Sequence, residues 1–254
     1  MKKSKLYTIL IAFAFVLSLV FACLCLLTVK KVETNYSLIE ETDVSDFEKM
    51  LDDRFDGKII LFINEKKVKQ TIDGAPYYSL VKMDKQFPNK LILNVETRRE
   101  TYLLQDGENN YIIDKDGYVL SKNEERFQTT ELIDLILDGI EIKNITVGQK
   151  LSVENNDFLY SAFEMTRAVN LSDNVKQLEV IASQQKQDVV ILTRTGVKVR
   201  FYLFDHLDKS KDMAVKAFDS YNEKADDYMK TYNEIKVLVN DSDEIDIWWS
   251  QRGE

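Results

Sequence analysis

Residues 87–120 read FPNKLILNVETRRETYLLQDGENNYIIDKDGYVL, and the order of extended runs within them decides the fold. Leu91, Leu93 and Val95 alternate with Ile92, Asn94 and Glu96, the period of a strand with two unlike faces. Tyr111-Ile112-Ile113 and Tyr118-Val119-Leu120 flank Asp114-Lys115-Asp116-Gly117. Asp-Gly supplies the positive φ that a tight turn between twisted strands requires, so this pair reads as a hairpin.

Upstream, residues 32–98 form a first unit. Ser45 and Glu48 have the spacing of a capping box. Phe47, Met50, Leu51 and Phe55 recur at helical intervals, predicting an amphipathic helix over 46–55 that ends at Gly57. Ile59 to Ile63 is a short apolar run. Asn64 is placed to cap a second helix with Val68 and Ile72 on one face and Gly74 at its close. Strands over 36–39, 77–82 and 90–95 complete the order β-α-α-β-β.

Downstream, residues 99–254 read as a mixed β domain with flanking helices. Leu132 to Leu137 is extended, and Phe158, Leu159, Ala162, Phe163, Thr166 and Val169 give one helix an apolar face. Leu178 to Val180 starts another strand, and runs 189–193 and 197–203 form a hairpin around Thr195-Gly196. A long polar helix is expected over 209–232. Residues 237–239 fit either one more strand or the tail of that helix. The last strand is Glu244 to Trp249.

At the other end, Leu6 to Val29 is a run of 24 residues without a charge. As a helix it spans roughly 36 Å, enough to cross a bilayer. A cleaved signal peptide would have a shorter apolar core and a small-x-small site. Val20-Phe21-Ala22-Cys23 suggests a lipoprotein signal, but the chain stays apolar beyond that cysteine. An uncleaved transmembrane helix over 6–29 is the favoured reading, with residues 1–5 as a cytoplasmic tail. Lys2, Lys3, Lys5 and the amino terminus outweigh Lys30 and Lys31, which favours a cytoplasmic N-terminus and an extracytoplasmic C-terminal part.

All 43 acidic residues follow residue 31, against 29 of the 34 basic ones, so that part carries a balance of −14. Such a surface does not suit nucleic acid. Cys23 and Cys25, the only cysteines, lie in the apolar run, so the remainder has no disulfide and no thiolate chemistry.

No catalytic, metal or cofactor residue stands out. His206 is the only histidine, which leaves a conventional zinc site without ligands, and it reads as a surface capping residue. There is no G-x-S-x-G, P-loop, G-x-G-x-x-G or H-E-x-x-H. Asp114 to Gly117 looks like the start of a calcium loop, but residues 121–125 do not supply the other ligands at the required spacing.

The final strand is the better candidate. Trp248 and Trp249 are the only tryptophans, and adjacent strand residues face opposite ways, so one of them should be exposed. A terminal strand that lies at a sheet edge can accept a partner strand through its backbone. On physics alone, that role and a purely structural one, both rings anchoring a terminus, fit equally.

Residues 87–120 resemble the junction between the POTRA and β domains of the bacterial FtsQ/DivIB division family. There a strand of the form "fP-x-x-L-x-I-x-V-x-E-R" leads into a "yyxIDxxGxVL" hairpin. This chain keeps Phe87-Pro88, the alternating strand, Glu96 and Arg98, then Ile113-Asp114, Gly117 and Val119-Leu120. It departs at Glu40-Glu41-Thr42, where family members often carry Gly-Asn. The resemblance implies a POTRA domain over 32–98 and a β domain over 99–254, of α+β class, behind a single membrane helix. It implies no reaction and no cofactor. It implies a division-complex scaffold at the septum that binds FtsL-like and DivIC/FtsB-like single-span coiled-coil proteins, and through them influences septal peptidoglycan synthases.

The family's last strand, of pattern "IDLR", adds a partner's strand. Ile245-Asp246-Ile247 matches its first three positions and Trp248 replaces the arginine. The implied partner-binding residues are therefore Ile245, Asp246, Ile247, Trp248 and Trp249. Two other classes are compatible with the chain: another POTRA-type transport or secretion component, and a membrane-anchored cell-wall enzyme. On this reading, Ile247→Lys or Trp249→Lys should weaken partner binding more than about tenfold, roughly 1.4 kcal/mol, in a chain that stays folded. A binding titration on the folded variants checks this.

Overall fold

The computed structural model describes residues 2–37, 44–124, 131–169, 175–183, 186–204, 206–223 and 232–251. They divide into two compact units, Met1–Arg98 and Arg99–Glu254.

The first unit opens with helix α1, Lys2–Leu26. Among the described residues no helix is long and apolar enough to cross a membrane. On α1 the described side chains include the run 11–26. Those side chains are nonetheless apolar and exposed on every side of the helix, among them Ile11, Phe13, Phe15, Val16, Leu17 and Phe21.

Strand β1 (Lys31–Ser37), helices α2 (Ser45–Phe55) and α3 (Glu65–Ile72), and strands β2 (Tyr78–Gln86) and β3 (Lys90–Thr97) follow in the order β-α-α-β-β. The sheet runs β1-β3-β2, with β1 parallel and β2 antiparallel to the central β3. The alternation in β3 buries Leu91, Leu93 and Val95 against Phe47, Leu51 and Phe55 of α2 and Val68 and Ile72 of α3. Phe47 also stacks on Tyr78, ring centroids 3.8 Å apart.

Local signals fared unevenly. The Asn64 side chain accepts the Lys67 amide at 2.8 Å and caps α3 as its sequence suggests. The Ser45–Glu48 capping box does not form. Val44 occupies the N-cap of α2 with no side-chain cap bond, and the Glu48 carboxylate instead accepts the Tyr36 hydroxyl at 3.2 Å. The first strand begins at Lys31, earlier than the expected 36–39, because β1 pairs along β3 from Lys31↔Lys90 to Ser37↔Glu96. Residues 38–39 and the 40–42 departure lie outside the described residues.

The second unit holds strands β4 (Glu100–Asp106), β5 (Asn109–Asp114), β6 (Val119–Asn123) and β7 (Ile133–Asp138), then the short pair β8 (Ile142–Asn144) and β9 (Ser152–Val153). Helix α4 (Asn156–Ala168) leads to β10 (Val175–Ser183), β11 (Lys186–Thr193) and β12 (Lys198–Tyr202). Helix α5 (Ser210–Glu223) leads to β13 (Tyr232–Val239) and β14 (Ile245–Gln251). Nine strands make one sheet in the order β14-β13-β12-β11-β10-β7-β4-β5-β6. The parallel pairs β7/β10 and β12/β13 are each joined through a helix, as parallel neighbours require a long crossover.

Alternate residues of the sheet, such as Leu178, Val180, Val189, Ile191, Val199 and Phe201, enter one core with Phe158, Ala162 and Phe163 of α4 and Met213, Ala217 and Phe218 of α5. The β5–β6 turn is closed by Asp114, whose Oδ1 accepts the amides of Asp116 (2.8 Å) and Tyr118 (2.7 Å). Gly117 takes a φ of 86° there. The carboxylate that looked like a calcium ligand is a turn-closing acceptor.

The expected helix over 209–232 is the main correction. Helix α5 is described to Glu223, residues 224–231 lie outside the described set, and Tyr232 already belongs to β13. Ile235 and Val237 are buried while Lys236 between them is not, a period of two that only a strand provides. The undecided run 237–239 is therefore strand.

Tyr102 sits in this core, stacked on Phe163 with centroids 4.7 Å apart and sharing a hydrogen bond with the Thr166 hydroxyl. Burial pushes its phenol up to about 12. The neutral phenol is thus the folded form, so its contribution to stability is complete below the unfolded pKa of about 10. It is lost as pH rises through about 12. Denaturation followed from pH ~9 upward should show stability falling, and Tyr102→Phe should flatten that fall.

Candidate functional site

Strand β14 lies at one end of the nine-stranded sheet and, among the described residues, pairs with β13 alone. The hairpin that presents it is tightly built. The Asn240 side-chain oxygen accepts the amides of Ser242 (2.9 Å) and Glu244 (3.0 Å). Its amide nitrogen donates to both carboxylate oxygens of Asp246 at 3.2 Å. Asp243 adopts a positive φ of 64°, a conformation that Asp tolerates better than most residues. Lys209, at the start of α5, donates to the Asp243 carbonyl at 2.9 Å and pairs with its carboxylate. That hydrogen bond, together with the charge of Lys209, holds the Asp243 carboxyl below the usual carboxylate range.

The five residues expected to bind a partner occur together on this strand, and the pleat divides them into two sets. Ile245, Ile247 and Trp249 pack against the core beneath α4 and α5. Asp246 and Trp248 lie on the opposite face, and Trp248 is 61% exposed. The expectation that one tryptophan of the pair is exposed is met by Trp248. The expectation that Ile247 and Trp249 tolerate lysine is corrected. Both side chains are partly buried against the core, and a lysine there would replace apolar packing with a charge. These two residues offer a partner only their backbone.

The open face around Trp248 was not foreseen from the sequence. Strand register aligns Trp248 with Lys236, Lys236 with Arg200, and Arg200 with Val190 across four strands. Arg200 bonds the Asp188 carboxylate at 3.1 Å and the Glu234 carboxylate at 3.4 Å, and Lys236 approaches Glu234 at 3.7 Å. Burial alone would lower the Arg200 pKa. The hydrogen bonds to Asp188 and Glu234 outweigh it and raise the value. The exposed ring thus borders a belt of paired charges that fixes the face of the three strands behind it. Only the outward alternation of Lys198 and Arg200 hinted at this in the sequence.

His206 precedes a short 3-10 turn, Leu207–Lys209, without a side-chain cap bond, so its expected capping role is not made. Among the described residues no three His, Cys, Asp or Glu side chains are placed to hold a metal ion. What the site offers is an open, rigid strand edge flanked by one large aromatic ring.

No family model matches the chain. It is 24% identical over 135 residues to the cell division protein DivIB of Clostridium tetani, covering 53% of this chain and 50% of that protein. It is 28% identical over 118 residues to the cell division protein DivIB of Clostridium acetobutylicum, covering 46% of this chain and 45% of that protein. The matches thus span about half the length of these curated relatives. A solved structure, the major extracytoplasmic domain of the trans isomer of the cell division protein DivIB from Geobacillus stearothermophilus, aligns at 13% identity and a TM-score of 0.28. That alignment covers 48% of this chain and 95% of the solved one.

The pleat separates the two tryptophans energetically. Trp248→Ala should change stability by less than about 0.5 kcal/mol, whereas Trp249→Ala should cost about 3 kcal/mol. Urea denaturation of the two variants measures the difference.

Proposed function

We propose that this chain is a divergent member of the FtsQ/DivIB family of bacterial cell-division proteins and a membrane-anchored, non-enzymatic scaffold of the division complex. Its relatives are named as division proteins. The observation that carries the reading to a mechanism is the position of β14, an end strand paired on one side only among the described residues. A partner segment in extended conformation adds to such an edge through main-chain hydrogen bonds and gains selectivity from the flanking side chains. Trp248 is the flanking residue best suited to this, because exposed large aromatics are common energetic anchors of interfaces.

In this reading α1 is the anchor. The uncharged part of α1, Leu6 to Leu26, is long enough for a bilayer, whereas Val29 already belongs to the core of the first unit; a helix apolar on every side has no amphipathic face to give to a soluble core. Residues 1–5 lie in the cytoplasm, residues 32–98 form a POTRA domain outside the membrane, and residues 99–254 form the β domain that ends in the binding edge. The partners are FtsL-like and DivIC/FtsB-like single-span coiled-coil proteins, and the consequence is control of septal peptidoglycan synthesis.

Tagged full-length chain purified from its native membrane should bring down small single-span coiled-coil proteins. Trp248→Ala should reduce their recovery, and their affinity by more than about tenfold, or 1.4 kcal/mol, with stability unchanged. Recovery of none of these proteins by the unaltered chain, or full affinity in the folded Trp248→Ala variant, would remove the scaffold or the edge from the mechanism.

A further inference from the structure

The end of α1 is stitched to two loops of the first unit. The amide of Ile60 donates to the carbonyl of Leu27 at 2.9 Å, and that of Val29 to Lys58 at 2.8 Å. The amide of Lys30 donates to the Asn89 carbonyl at 2.9 Å. Thr28 and Ile59 form an isolated antiparallel bridge, and the Lys85 ammonium reaches the Leu61 carbonyl at 3.3 Å. Three segments, 27–32, 57–63 and 85–90, therefore share one end of the unit, directly where α1 stops.

That end has an unusual surface. Phe62 is 71% exposed, Phe87 55% and Leu61 50%. The same three segments contain five lysines, at 30, 31, 58, 85 and 90, and no aspartate or glutamate. The rest of the chain beyond residue 31 is strongly acidic, so this concentration stands against the charge of the whole. Glu33 pairs with Lys31 and Lys90, and exposed apolar rings beside the other three lysines, Lys30, Lys58 and Lys85, form the pattern of a bilayer interface. There the rings sit at the acyl boundary and the long lysine side chains reach the headgroups.

We infer that this end of the first unit is a membrane-contact surface: Leu61, Phe62 and Phe87 insert into the outer interface of the bilayer that holds α1, and Lys30, Lys58 and Lys85 engage anionic lipid phosphates. The inference rests on α1 being the membrane anchor. Backbone continuity then does the placing, because hydrogen bonds at 2.8–2.9 Å leave the two loops no distance from the point where the chain leaves the membrane. The bilayer is the occupant, since it is the one apolar phase that α1 necessarily brings to this site. Each lysine near an anionic surface contributes attraction that salt screens. The contact also removes a freedom: a unit touching the bilayer at two loops cannot swing about its helix.

The test uses the full-length chain in nanodiscs of phosphatidylcholine and phosphatidylglycerol with brominated acyl chains. An environment-sensitive fluorophore is placed on one cysteine at a time, with the other native cysteines changed to Ser. The positions are native Cys25 on α1, Phe62→Cys in the patch, and Asp46→Cys. Asp46 is at the opposite end of the unit, beside the contact of Phe47 with Tyr36 from β1. Quenched, blue-shifted emission at positions 25 and 62, with aqueous emission at 46, is expected. Quenching at 25 with aqueous emission at 62 overturns the contact surface and leaves the anchor standing. Aqueous emission at 25 overturns the anchor itself, and equal quenching at 62 and 46 overturns the assignment to this patch. In discs of phosphatidylcholine alone, quenching at 62 should weaken; an unchanged signal removes the lysines from the contact.

Discussion

Three neighbouring strand pairs of the second unit run parallel, and two of them, β7/β10 and β12/β13, govern its fold. Neighbouring strands that run the same way cannot be joined by a tight turn, so the chain must leave the sheet and return. Here it does so through α4 and again through α5, and both helices sink their apolar stripes into the same core. One face of the nine-stranded sheet is thereby covered by Phe158, Phe163, Met213 and Phe218, while the other carries the ion pairs of Arg200. After the second return, through α5, β13 and β14 add to the sheet in turn, and β14 stands at its margin.

That arrangement separates two jobs that a terminal strand would otherwise confuse. Ile245, Ile247 and Trp249 hold β14 in place from beneath, and Trp248 faces away. A strand secured by every second side chain can leave its outer backbone and its alternate side chains to something else without loosening. The ion-paired belt of Arg200, Asp188 and Glu234 adds stiffness on the open face, where no helix packs. Rigid presentation matters because ordering a floppy edge would subtract from the affinity of anything that pairs with it.

Much of this was legible in the sequence, for reasons that differ from element to element. The alternation in 91–95, the Asp-Gly turn and the Asn64 cap depend on neighbouring residues alone, and they appear where the sequence places them. The tryptophan pair carried its own geometry, since adjacent strand residues must diverge. The failures arose where a distant partner decided. Ser45 had the spacing of a cap, but Glu48 found the Tyr36 hydroxyl instead. Residues 237–239 fitted either a strand or the tail of a polar helix, and the pairing of this strand with β12 is set by a segment more than thirty residues earlier in the chain. The belt around Arg200 joins three strands and, beyond the alternation of Lys198 and Arg200, has no local signature.

The bond between Lys209 and Asp243 makes the terminal hairpin mechanically asymmetric. Its turn end is fastened to the root of α5 and stiffened by Asn240 and Asp246, whereas its other end finishes at Gln251 with no such fastening among the described residues. A pull on the outer strand from the Gln251 side would break ladder bonds one after another, as a zipper opens. A pull from the turn side would load the tether and the helix root together. The direction from which tension arrives, more than its size, would then decide whether β14 peels from the sheet or drags α5 with it.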